Sequence, residues 1–398
     1  MAEAIVEFGI VGAGPAGLSA AANASRHGKS HVLFEKREIG NTIFDYQLRK
    51  HVMAEPQRLP LRSPLPFEAG TREQVLSAWS ETIRSLKVNV HRAEVTAIQK
   101  ENSHFEITTS DGRITRAKNL ILSMGVQGTP RKLGVPGEDQ SHVHYTLADP
   151  DALKGKHVLV VGAGDAAIEN ALALCESNTV SLLNLGDDFP RAKEANAAKI
   201  LEAIKSGQIK MYSHASMIRI HANECEIHTP HEDLRVKCEH LIVRIGGTLP
   251  RKFLESLGIQ FPSSDPFATP AVNSKYESNV NGIFILGALI GYPLIKQAIN
   301  QGYEVIEHLI GNSILPADHE LLCEALSAIE GDPEEIIAGL QRQMPLFRDL
   351  SEAQFRELIL ESKLYFKNPG EMIFERNDYT DSFFSVLSGS VAIELGET

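Results

Sequence analysis

The hydrophobic and polar positions near the start of the chain predict a strand, a helix and a second strand in succession. The first apolar run covers residues 8–11 and has the length and β-branching of a buried parallel strand. An alanine-rich stretch at residues 16–27 predicts the helix, and an apolar run at residues 31–34 predicts the next strand. This order is that of a βαβ unit.

A second copy of the pattern lies about 150 residues further along the chain. It predicts a strand at residues 157–161, a helix at residues 166–176 and a strand at residues 180–183. A pattern that repeats at this distance predicts two α/β domains of similar design.

Shorter apolar runs and turn residues predict the remaining elements. We expect two antiparallel meanders, the first over residues 88–95, 96–99, 105–109 and 114–116, and the second from residue 211 through 226–228 to 240–243. Further strands are predicted at 119–125 and 283–286, and helices at 72–86, 295–310, 318–330 and 333–342. Trp79 is expected in the core. Residues 41–70 are polar and interrupted by prolines, which predicts a long loop that lines a site.

The turn between strand and helix of the first copy is typical of a dinucleotide site. Gly12, Gly14 and Gly17 have the spacing G-x-G-x-x-G. Gly12 allows the tight turn, Gly14 lets the backbone approach a pyrophosphate, and Gly17 lets helix and strand pack closely. Glu35, at the end of the second strand, is placed to accept a hydrogen bond from a ribose hydroxyl.

The second copy repeats this chemistry with a small change. Gly162, Gly164 and Ala167 have the spacing G-x-G-x-x-A, again between an apolar run and a helix. The two copies together predict two dinucleotide-binding domains, one for a bound flavin and one for a nicotinamide nucleotide.

Composition narrows the possible classes of protein. The chain has 398 residues, enough for two or three domains, and its net charge of −12 excludes a nucleic-acid surface. The longest apolar run, residues 283–295, contains Pro293 and is too short for a membrane span, and the first residues lack the basic region of a signal peptide. The four cysteines, Cys175, Cys225, Cys238 and Cys323, are scattered, so we expect inert, buried thiols and a cytoplasmic protein.

Five motifs in order resemble the pyridine nucleotide-disulfide oxidoreductase superfamily and, within it, the thioredoxin-reductase-like flavoproteins. They are the first glycine turn with Glu35, the strand LILSMG followed by PRKLGVPGED, the second glycine turn, the strand end IVRIGGTLP, and GIFILGALIGYPLIKQAINQG. The resemblance covers residues 4–311. The loop GNTIFDYQLRKHVMAEPQRL is similar to that of bacillithiol-disulfide-reductase-like members.

The resemblance implies an α/β protein with two Rossmann-like three-layer domains that forms a homodimer. Residues 1–140 and 256–313 are expected to bind FAD, and residues 141–255 to bind NADH or NADPH. The residues expected to bind these cofactors are Gly12, Gly14, Pro15, Ala16, Gly17, Glu35, Lys36, Asn41, Thr42, Val95, Ser123, Gly125, Gly162, Gly164, Asp165, Ala166, Ala167, Asn184, Arg191, Lys193, Gly246, Gly287, Ala288, Lys296, Gln297 and Ala298.

The catalytic candidates are Lys296 and Gln297, at the start of the predicted helix 295–310. In the family this helix end meets the flavin ring. Its unpaired N–H groups and dipole would stabilise negative charge on the reduced ring, and Lys296 would add a cation. A solvated lysine at the helix start is the alternative for Lys296.

Three departures from the family pattern affect the chemistry. The second copy continues from Gly164 without the C-x-x-C of thioredoxin reductases, and Ala16 stands where some relatives have a cysteine in the first turn. Ala288 replaces an acidic residue that holds the flavin ribityl chain in the family, so Asn41, Thr42 or backbone groups would have to complete the site. With no redox disulfide, we expect electrons to leave directly from the flavin.

Several acceptors fit such a flavin. A one-electron partner such as ferredoxin or another iron-sulfur protein is preferred, because ferredoxin–NADP reductases of this type also lack the cysteine pair. A quinone or a small disulfide is the next choice. The alternative from another class is a regulatory flavoprotein that senses redox state or nucleotides and has little turnover.

The choice between NADH and NADPH stays open at this point. Two arginines of the usual phosphate clamp are missing after the second strand, where the matching positions are Asn184, Leu185 and Gly186, followed by Asp187 and Asp188. Carboxylates near a 2′-phosphate would repel it. Arg191 and Lys193 could still reach the phosphate, so we favour NADH only slightly.

The C-terminal part leaves the flavoprotein pattern. Residues 314–344 predict a helical linker, and residues 345–398 resemble the start of a cyclic-nucleotide-binding domain, a β-roll. The residues that carry this resemblance are Leu346, Phe347, Leu350, Ser351, Pro369, Gly370, Glu371, Ile373, Phe374, Asp378, Asp381, Phe383, Phe384, Gly389, Ser390 and Val391. The phosphate-binding cassette of such domains lies beyond Thr398, so a cyclic nucleotide is expected to bind only in an untruncated protein.

Overall fold

The computed structural model describes residues 4–347, 350, 352–375, 378 and 384–393, with only the backbone of residues 352 and 353. Contacts divide the chain into two compact units. The first unit contains Met1–Pro56 and Leu61–Ser313, and the second contains Gln57–Pro60 and Ile314–Thr398.

All described strands belong to the first unit. They are β1 (Val6–Val11), β2 (His31–Glu35), β3 (His51–Val52), β4 (Gly70–Thr71), β5 (Val90–Arg92), β6 (Val95–Lys100), β7 (Phe105–Thr109), β8 (Ile114–Leu122), β9 (Val143–His144), β10 (His157–Val161), β11 (Thr179–Leu183), β12 (Ile209–Tyr212), β13 (Ser216–Ile220), β14 (Glu224–His228), β15 (Asp233–Lys237), β16 (His240–Val243) and β17 (Ile283–Ile285).

The described helices are distributed over both units. They are α1 (Pro15–Arg26), α2 (Asn41–Phe44), α3 (Arg72–Ser85), α4 (Asp165–Cys175), α5 (Glu194–Lys205), α6 (Arg251–Ser256) and α7 (Ile295–Leu309) in the first unit, and α8 (His319–Ala325), α9 (Pro333–Gln343) and α10 (Glu352–Glu361) in the second. Short 3₁₀ turns lie at Pro150–Ala152, Gly287–Ile290 and Pro345–Phe347.

The first sheet has seven strands in the order β5-β2-β1-β8-β7-β6, with β17 also paired to β8. Strands β5, β2, β1, β8 and β17 run parallel, while β6 and β7 extend the sheet in antiparallel fashion. The prediction of separate strands at 114–116 and 119–125 is wrong. A single strand β8 pairs antiparallel with β7 through its first half and parallel with β1 and β17 through its second half.

The segment predicted at 88–95 also differs from the expectation. Strand β5 pairs in parallel with β2 rather than joining the antiparallel meander, with Val90 opposite Leu33. The predicted loop 41–70 contains α2 and the small β3–β4 pair, whose strands run antiparallel. The local alternation of hydrophobic and polar residues does not show which strands pair. The register and direction of a strand depend on its neighbour in the sheet.

Helix α1 lies buried between the first sheet and α7. Its alanines allow this close packing, and a Cβ on Gly302 of α7 would lie 2.1 Å from the carbonyl oxygen of Ala16. Trp79 of α3 is fully buried in the same core, as predicted, and its Nε1 donates to the Pro66 carbonyl at 2.8 Å.

The second sheet is entirely parallel, with the order β12-β11-β10-β16-β9. Helices α4 and α5 contribute Ile168 and Ile200 to a core with the strand residues Val160 and Leu182. The antiparallel strands β13, β14 and β15 form a separate three-stranded sheet. The second predicted meander is therefore wrong at both ends, because residues 211 and 240–243 belong to β12 and β16 of the parallel sheet. The prediction of an α/β protein with two Rossmann-like sheets is confirmed.

The described part of the second unit contains the helices α8, α9 and α10 around a small apolar core that includes Phe347 and Phe355. Helix α9 is capped by Asp332, which accepts from the backbone N–H of Glu334 at 2.9 Å. The predicted helix 318–330 is shorter, at His319–Ala325.

The second unit gives no support for the start of a β-roll in its described part, since residues 362–375, 378 and 384–393 contain no strand. Ser351, Asp381 and Phe383 lie outside the described residues. Across the part of the chain that the structure describes, no helix is both long and apolar enough to cross a membrane.

Candidate cofactor and nucleotide sites

The first glycine turn connects β1 to α1 and packs against the segment after β8. Gly12 has a φ of +101°, and a Cβ at this residue would lie 2.6 Å from the Met124 Cα. A Cβ on Gly17 would lie 2.0 Å from the Gly12 carbonyl oxygen, whereas a Cβ on Gly14 would meet only the Ser123 carbonyl oxygen, at 3.7 Å. Packing therefore excludes a side chain at Gly12 and Gly17, and Gly14 leaves an open face over the turn.

A large groove lies beside this turn, with about 1020 Å³ of empty space including open solvent. Of the predicted site residues, those that line it are Gly12, Gly14, Glu35, Lys36, Asn41, Thr42, Val95 and Gly125. The lining residues that sequence reasoning missed are Val11, Phe34, Arg37, Ala93, Glu94, Met124, Gly128, Thr129, Pro250 and Phe253. Val11, Phe34, Arg37, Ala93, Glu94 and Met124 lie at strand ends or next to predicted residues, so adjacency to the motifs could have indicated them. Gly128, Thr129, Pro250 and Phe253 have no such neighbour, and only the tertiary structure brings them to the groove.

Glu35 lies at the end of β2 and is almost fully buried. One carboxylate oxygen accepts from the Ala13 N–H at 2.8 Å and the other from the Arg37 N–H at 2.9 Å. Each oxygen has a second lone pair, so the carboxylate can hold the turn and still accept a hydrogen bond from a ligand hydroxyl.

The start of α1 has no side-chain cap, and its first residue, Pro15, lacks an N–H. The remaining N–H groups of the first turn, together with the open face at Gly14, fit an anionic pyrophosphate. Ser123 lies below this turn rather than on the groove. Its hydroxyl is 3.0 Å from the Val11 carbonyl oxygen and 2.9 Å from that of Gly12, so it braces the turn.

The start of α7 brings several predicted residues next to the turn. A Cβ on Gly287 would lie 3.6 Å from the Ala298 Cβ and 3.7 Å from the Ala16 Cβ. The Gly287 N–H donates to Oε1 of Gln301 at 2.7 Å, a positioning contact that sequence reasoning missed. Ala288 follows in the same 3₁₀ turn, and Gln297 follows Lys296 in the first turn of α7.

Lys296 is not a solvated cation, because it is only 7% exposed. Its Nζ donates to the Pro56 carbonyl at 2.7 Å. Burial lowers the pKa of Lys296 below its ordinary value. The alternative of a surface lysine at the helix start is therefore wrong.

The second glycine turn has the same division of roles. Gly162 has a φ of +131°, and a Cβ there would lie 2.3 Å from the Arg244 carbonyl oxygen. A Cβ on Gly164 would meet nothing within 4 Å. Ala167 is fully buried in the core beneath the turn. Helix α4 also lacks a side-chain cap, so its start likewise fits a pyrophosphate.

The other predicted residues of the second site are dispersed around this turn. Asp165 accepts from the Lys193 N–H at 2.9 Å, which ties the start of α4 to the start of α5. Asn184, buried after β11, donates to the Asp188 carbonyl at 2.9 Å. Arg191 is exposed, and Gly246 lies with a φ of +89° beyond β16. Ala166 lines a small cavity beside α4 together with Lys50, Glu169 and Arg244.

The loop before β4 makes contacts that sequence reasoning missed. Lys50 pairs with Glu169 of α4 at 2.5 Å, and Glu55 pairs with Lys193 at 3.2 Å. The Leu48 N–H donates to the Ala148 carbonyl at 2.9 Å. The loop thus lies against α4 and the segment before α5, beside the second glycine turn, although its residues are distant from that turn in sequence.

A family model described as pyridine nucleotide-disulphide oxidoreductase matches residues 9–287. The chain belongs to this family. A ferredoxin–NADP reductase from Ignicoccus hospitalis is 29% identical over 304 residues, which cover 74% of this chain and 93% of that protein. A bacilliredoxin reductase from Bacillus subtilis is 26% identical over 290 residues, covering 70% of this chain and 88% of the relative.

Solved structures share the fold of this pyridine nucleotide-disulphide oxidoreductase. A bacillithiol disulfide reductase from Staphylococcus aureus has a TM-score of 0.70 and 23% identity, covering 77% of this chain and 98% of that chain. The family assignment makes the chain an NAD(P)H-dependent flavoprotein oxidoreductase with FAD and NAD(P)H as cofactors. The open glycine turns, the uncapped helix starts and the groove at Glu35 fit these groups.

The cysteines of this oxidoreductase do not lie in either glycine turn. Cys225 and Cys238 are fully buried in the β13–β15 region, as expected of inert thiols, and Cys175 is half-buried at the end of α4. Cys323 of α8 is exposed, contrary to the expectation that all four thiols are buried. Among the described residues, no group of His, Cys, Asp and Glu side chains is arranged to hold a metal ion.

Proposed function

We propose that this oxidoreductase takes hydride from NADH or NADPH and passes electrons directly to a ferredoxin or another iron-sulfur protein. The observation that carries the proposal is the absence of cysteine from both glycine turns, where Ala16 and the stretch from Gly164 to Glu169 leave no thiol to relay electrons. The name of the Ignicoccus relative, ferredoxin–NADP reductase, supports the same acceptor. A cytoplasmic location and a homodimer stay predictions.

We assign the first glycine turn and the groove at Glu35 to FAD, and the second turn to the nicotinamide nucleotide. The domain bounds proposed from the sequence, 1–140 with 256–313 and 141–255, follow from this assignment. Support comes from the two uncapped helix starts and from Gly14 and Gly164, which are open where a pyrophosphate would approach.

Bound FAD would supply hydride acceptance and release of single electrons. The chain's own residues would position it: the N–H groups at the start of α1 would bind the diphosphate, and Glu35 would accept from the ribose while it holds the turn. The N–H groups at the start of α7 would stabilise negative charge on the flavin ring. The bond from the Lys296 Nζ to the Pro56 carbonyl fixes this side chain at the same helix end. Gln301 fixes the Gly287 turn that precedes α7.

Anaerobic mixing with NADH or NADPH tests the first half of the proposal. The purified protein is expected to be yellow and to lose its flavin absorbance, and a colourless protein that binds no FAD would contradict the enzyme assignment. Adding ferredoxin, a quinone or a small disulfide then tests the acceptor. Fast reoxidation by ferredoxin is expected, and slow reoxidation by every acceptor would favour the sensor alternative.

A variant with all four cysteines changed to serine separates direct transfer from a thiol relay. We expect ferredoxin reduction to stay within about twofold of the wild type, because no thiol lies on the electron path. The four single cysteine-to-serine variants are the matched controls. A variant that loses thermal stability and turnover together identifies a thiol that matters for folding only. Loss of turnover with one cysteine, at unchanged flavin content and thermal stability, would favour the disulfide-reductase alternative that the names of the Bacillus and Staphylococcus relatives suggest.

We also propose that residues 345–398 belong to a regulatory module related to cyclic-nucleotide-binding domains. Its support is the order of sequence motifs from Leu346 to Val391. Removal of residues 314–398 is expected to change turnover or nucleotide affinity. Unchanged values for both would show that this part of the chain does not regulate the enzyme.

A further inference from the structure

The nucleotide preference depends on the charges around the adenosine ribose of the second site. In a βαβ dinucleotide site, this ribose lies near the end of the second strand, which here is β11, followed by Asn184. Lys193 lies in the loop between β11 and α5, and its N–H donates to Asp165 at the start of α4 at 2.9 Å, which holds this loop beside the second glycine turn. Lys193 is therefore a cation within the region where a 2′-phosphate would bind.

Glu55 from the distant loop already engages this cation. The Lys193 Nζ lies 3.2 Å from one carboxylate oxygen of Glu55 and 3.4 Å from the other. The side chains are 58% and 40% exposed, so a ligand can reach both. Arg191, the other cation of this region, is exposed and forms no ion pair among the described residues.

The backbone that presents Glu55 is anchored on both sides. The carbonyl of the next residue, Pro56, accepts from the buried Lys296 at 2.7 Å. Five residues earlier, Lys50 pairs with Glu169 at 2.5 Å. These contacts hold Glu55 next to Lys193 without any ligand.

We propose that Glu55 is a specificity-determining residue that favours NADH by competing with a 2′-phosphate for Lys193. The inference rests on the assignment of the second glycine turn to the nicotinamide nucleotide. A 2′-phosphate has to displace Glu55 and lies near Asp187 and Asp188, whereas the 2′-hydroxyl of NADH requires no such exchange. The preference is then set by a residue outside the nucleotide-binding sequence.

The test is a binding titration with ADP-ribose and 2′-phospho-ADP-ribose at low ionic strength, where surface charges are least screened. In Glu55→Gln, the affinity for 2′-phospho-ADP-ribose is expected to rise about two- to fivefold, the range for an exposed ion pair. The affinity for ADP-ribose should stay unchanged. Changing Lys193→Gln in the Glu55→Gln background should remove the gain.

Glu224→Gln is the matched control, because Glu224 is 38% exposed and pairs with Arg235 at 2.8 Å. It removes the same charge and should alter neither affinity. Equal changes for both ligands in Glu55→Gln, or the same result as Glu224→Gln, would overturn the role of Glu55 alone. If neither ligand binds to any variant, the assignment of the second glycine turn is also wrong. The ratio of kcat/KM for NADPH to that for NADH should follow the binding data.

Discussion

The two glycine turns have the same spacing but differ in what surrounds their helices. Helix α1 is buried along nearly its whole length, because the sheet covers one side and α7 the other. Helix α4 buries a single face, represented by Ala167, Ile168, Ala171 and Leu174. The first turn is thus part of a closed core. The second turn lies beside the loop that carries Lys50 and Glu55. The ion pairs of this loop are partly exposed, so they can be altered without disturbing the core.

The strongest test of this comparison is a methyl group at the third position of each turn. In Gly17→Ala the new Cβ would lie 2.0 Å from the Gly12 carbonyl oxygen and 2.5 Å from the Ser123 hydroxyl, both in the fixed core. We expect destabilisation of about 3 kcal/mol or more and loss of bound FAD. Thermal unfolding and the ratio of flavin to protein absorbance measure both effects.

The reciprocal change in the second turn, Ala167→Gly, is the control. It removes a buried methyl group from a helix and should cost about 2 kcal/mol, from helix propensity and lost burial together, with FAD retained. A Gly17→Ala protein that keeps its flavin and its melting temperature would show that the first turn can shift, and the contrast between the two regions would be lost.

A smaller effect is expected from a change at Glu35, the acidic residue at the end of β2. Glu35→Gln keeps the shape but places an amide where two backbone N–H groups donate to oxygen, which leaves one N–H without an acceptor. We expect about 1–3 kcal/mol lower stability and weaker FAD binding. Glu38→Gln, a change three residues later at a half-exposed ion pair with Arg92, should have little effect. Denaturant unfolding of both variants, with and without added FAD, measures the difference, and equal curves would contradict a special role for Glu35.

The smallest effect concerns pH and the far end of α1. Burial acts to raise the pKa of Glu307 in α7, but hydrogen bonds from Asn312, Asn23 and His27 outweigh it, so the pKa is lowered from its ordinary value of 4.5. The stabilisation is therefore present above about pH 4.5 and is lost as the pH falls through the lower folded-state pKa.

Glu307→Gln should remove this part of the acid dependence, because glutamine does not titrate. Unfolding free energies of wild type and variant between pH 3 and pH 7, an experimental range chosen around that pKa, make the comparison. Parallel pH profiles would mean that Glu307 does not hold α1 to α7 through its charge.

Much of the fold follows from local patterns. The strands and helices of both βαβ units, and helix α7, were predicted to within a few residues, because glycine spacing and apolar periodicity act over short distances. The pairing of β5 with β2 and the continuity of β8 were not predicted. Both depend on neighbours that are distant in sequence.

Some features of the candidate sites also follow from local sequence motifs, whereas others depend on residues that are distant in sequence. The open positions Gly14 and Gly164 and the buried carboxylate of Glu35 are consequences of sequence motifs, since each lies within or at the end of one βαβ unit. The burial of Lys296 on the Pro56 carbonyl could not be predicted, because a residue at a helix start is exposed unless another segment covers it. Here that segment is the loop at residues 41–70, which was predicted to line a site but without a partner residue.

The sequence by itself determined the family, the two glycine turns and the absence of cysteine from both turns, because motif order, glycine spacing and cysteine positions are local properties of the chain. Only the tertiary structure decided that α1 is enclosed by α7, that Ser123 braces the first turn and that Glu55 meets Lys193. These contacts join residues that are far apart in sequence. The physical reason is that packing and ion pairing depend on distance in space, which no local pattern of hydrophobic and polar residues specifies.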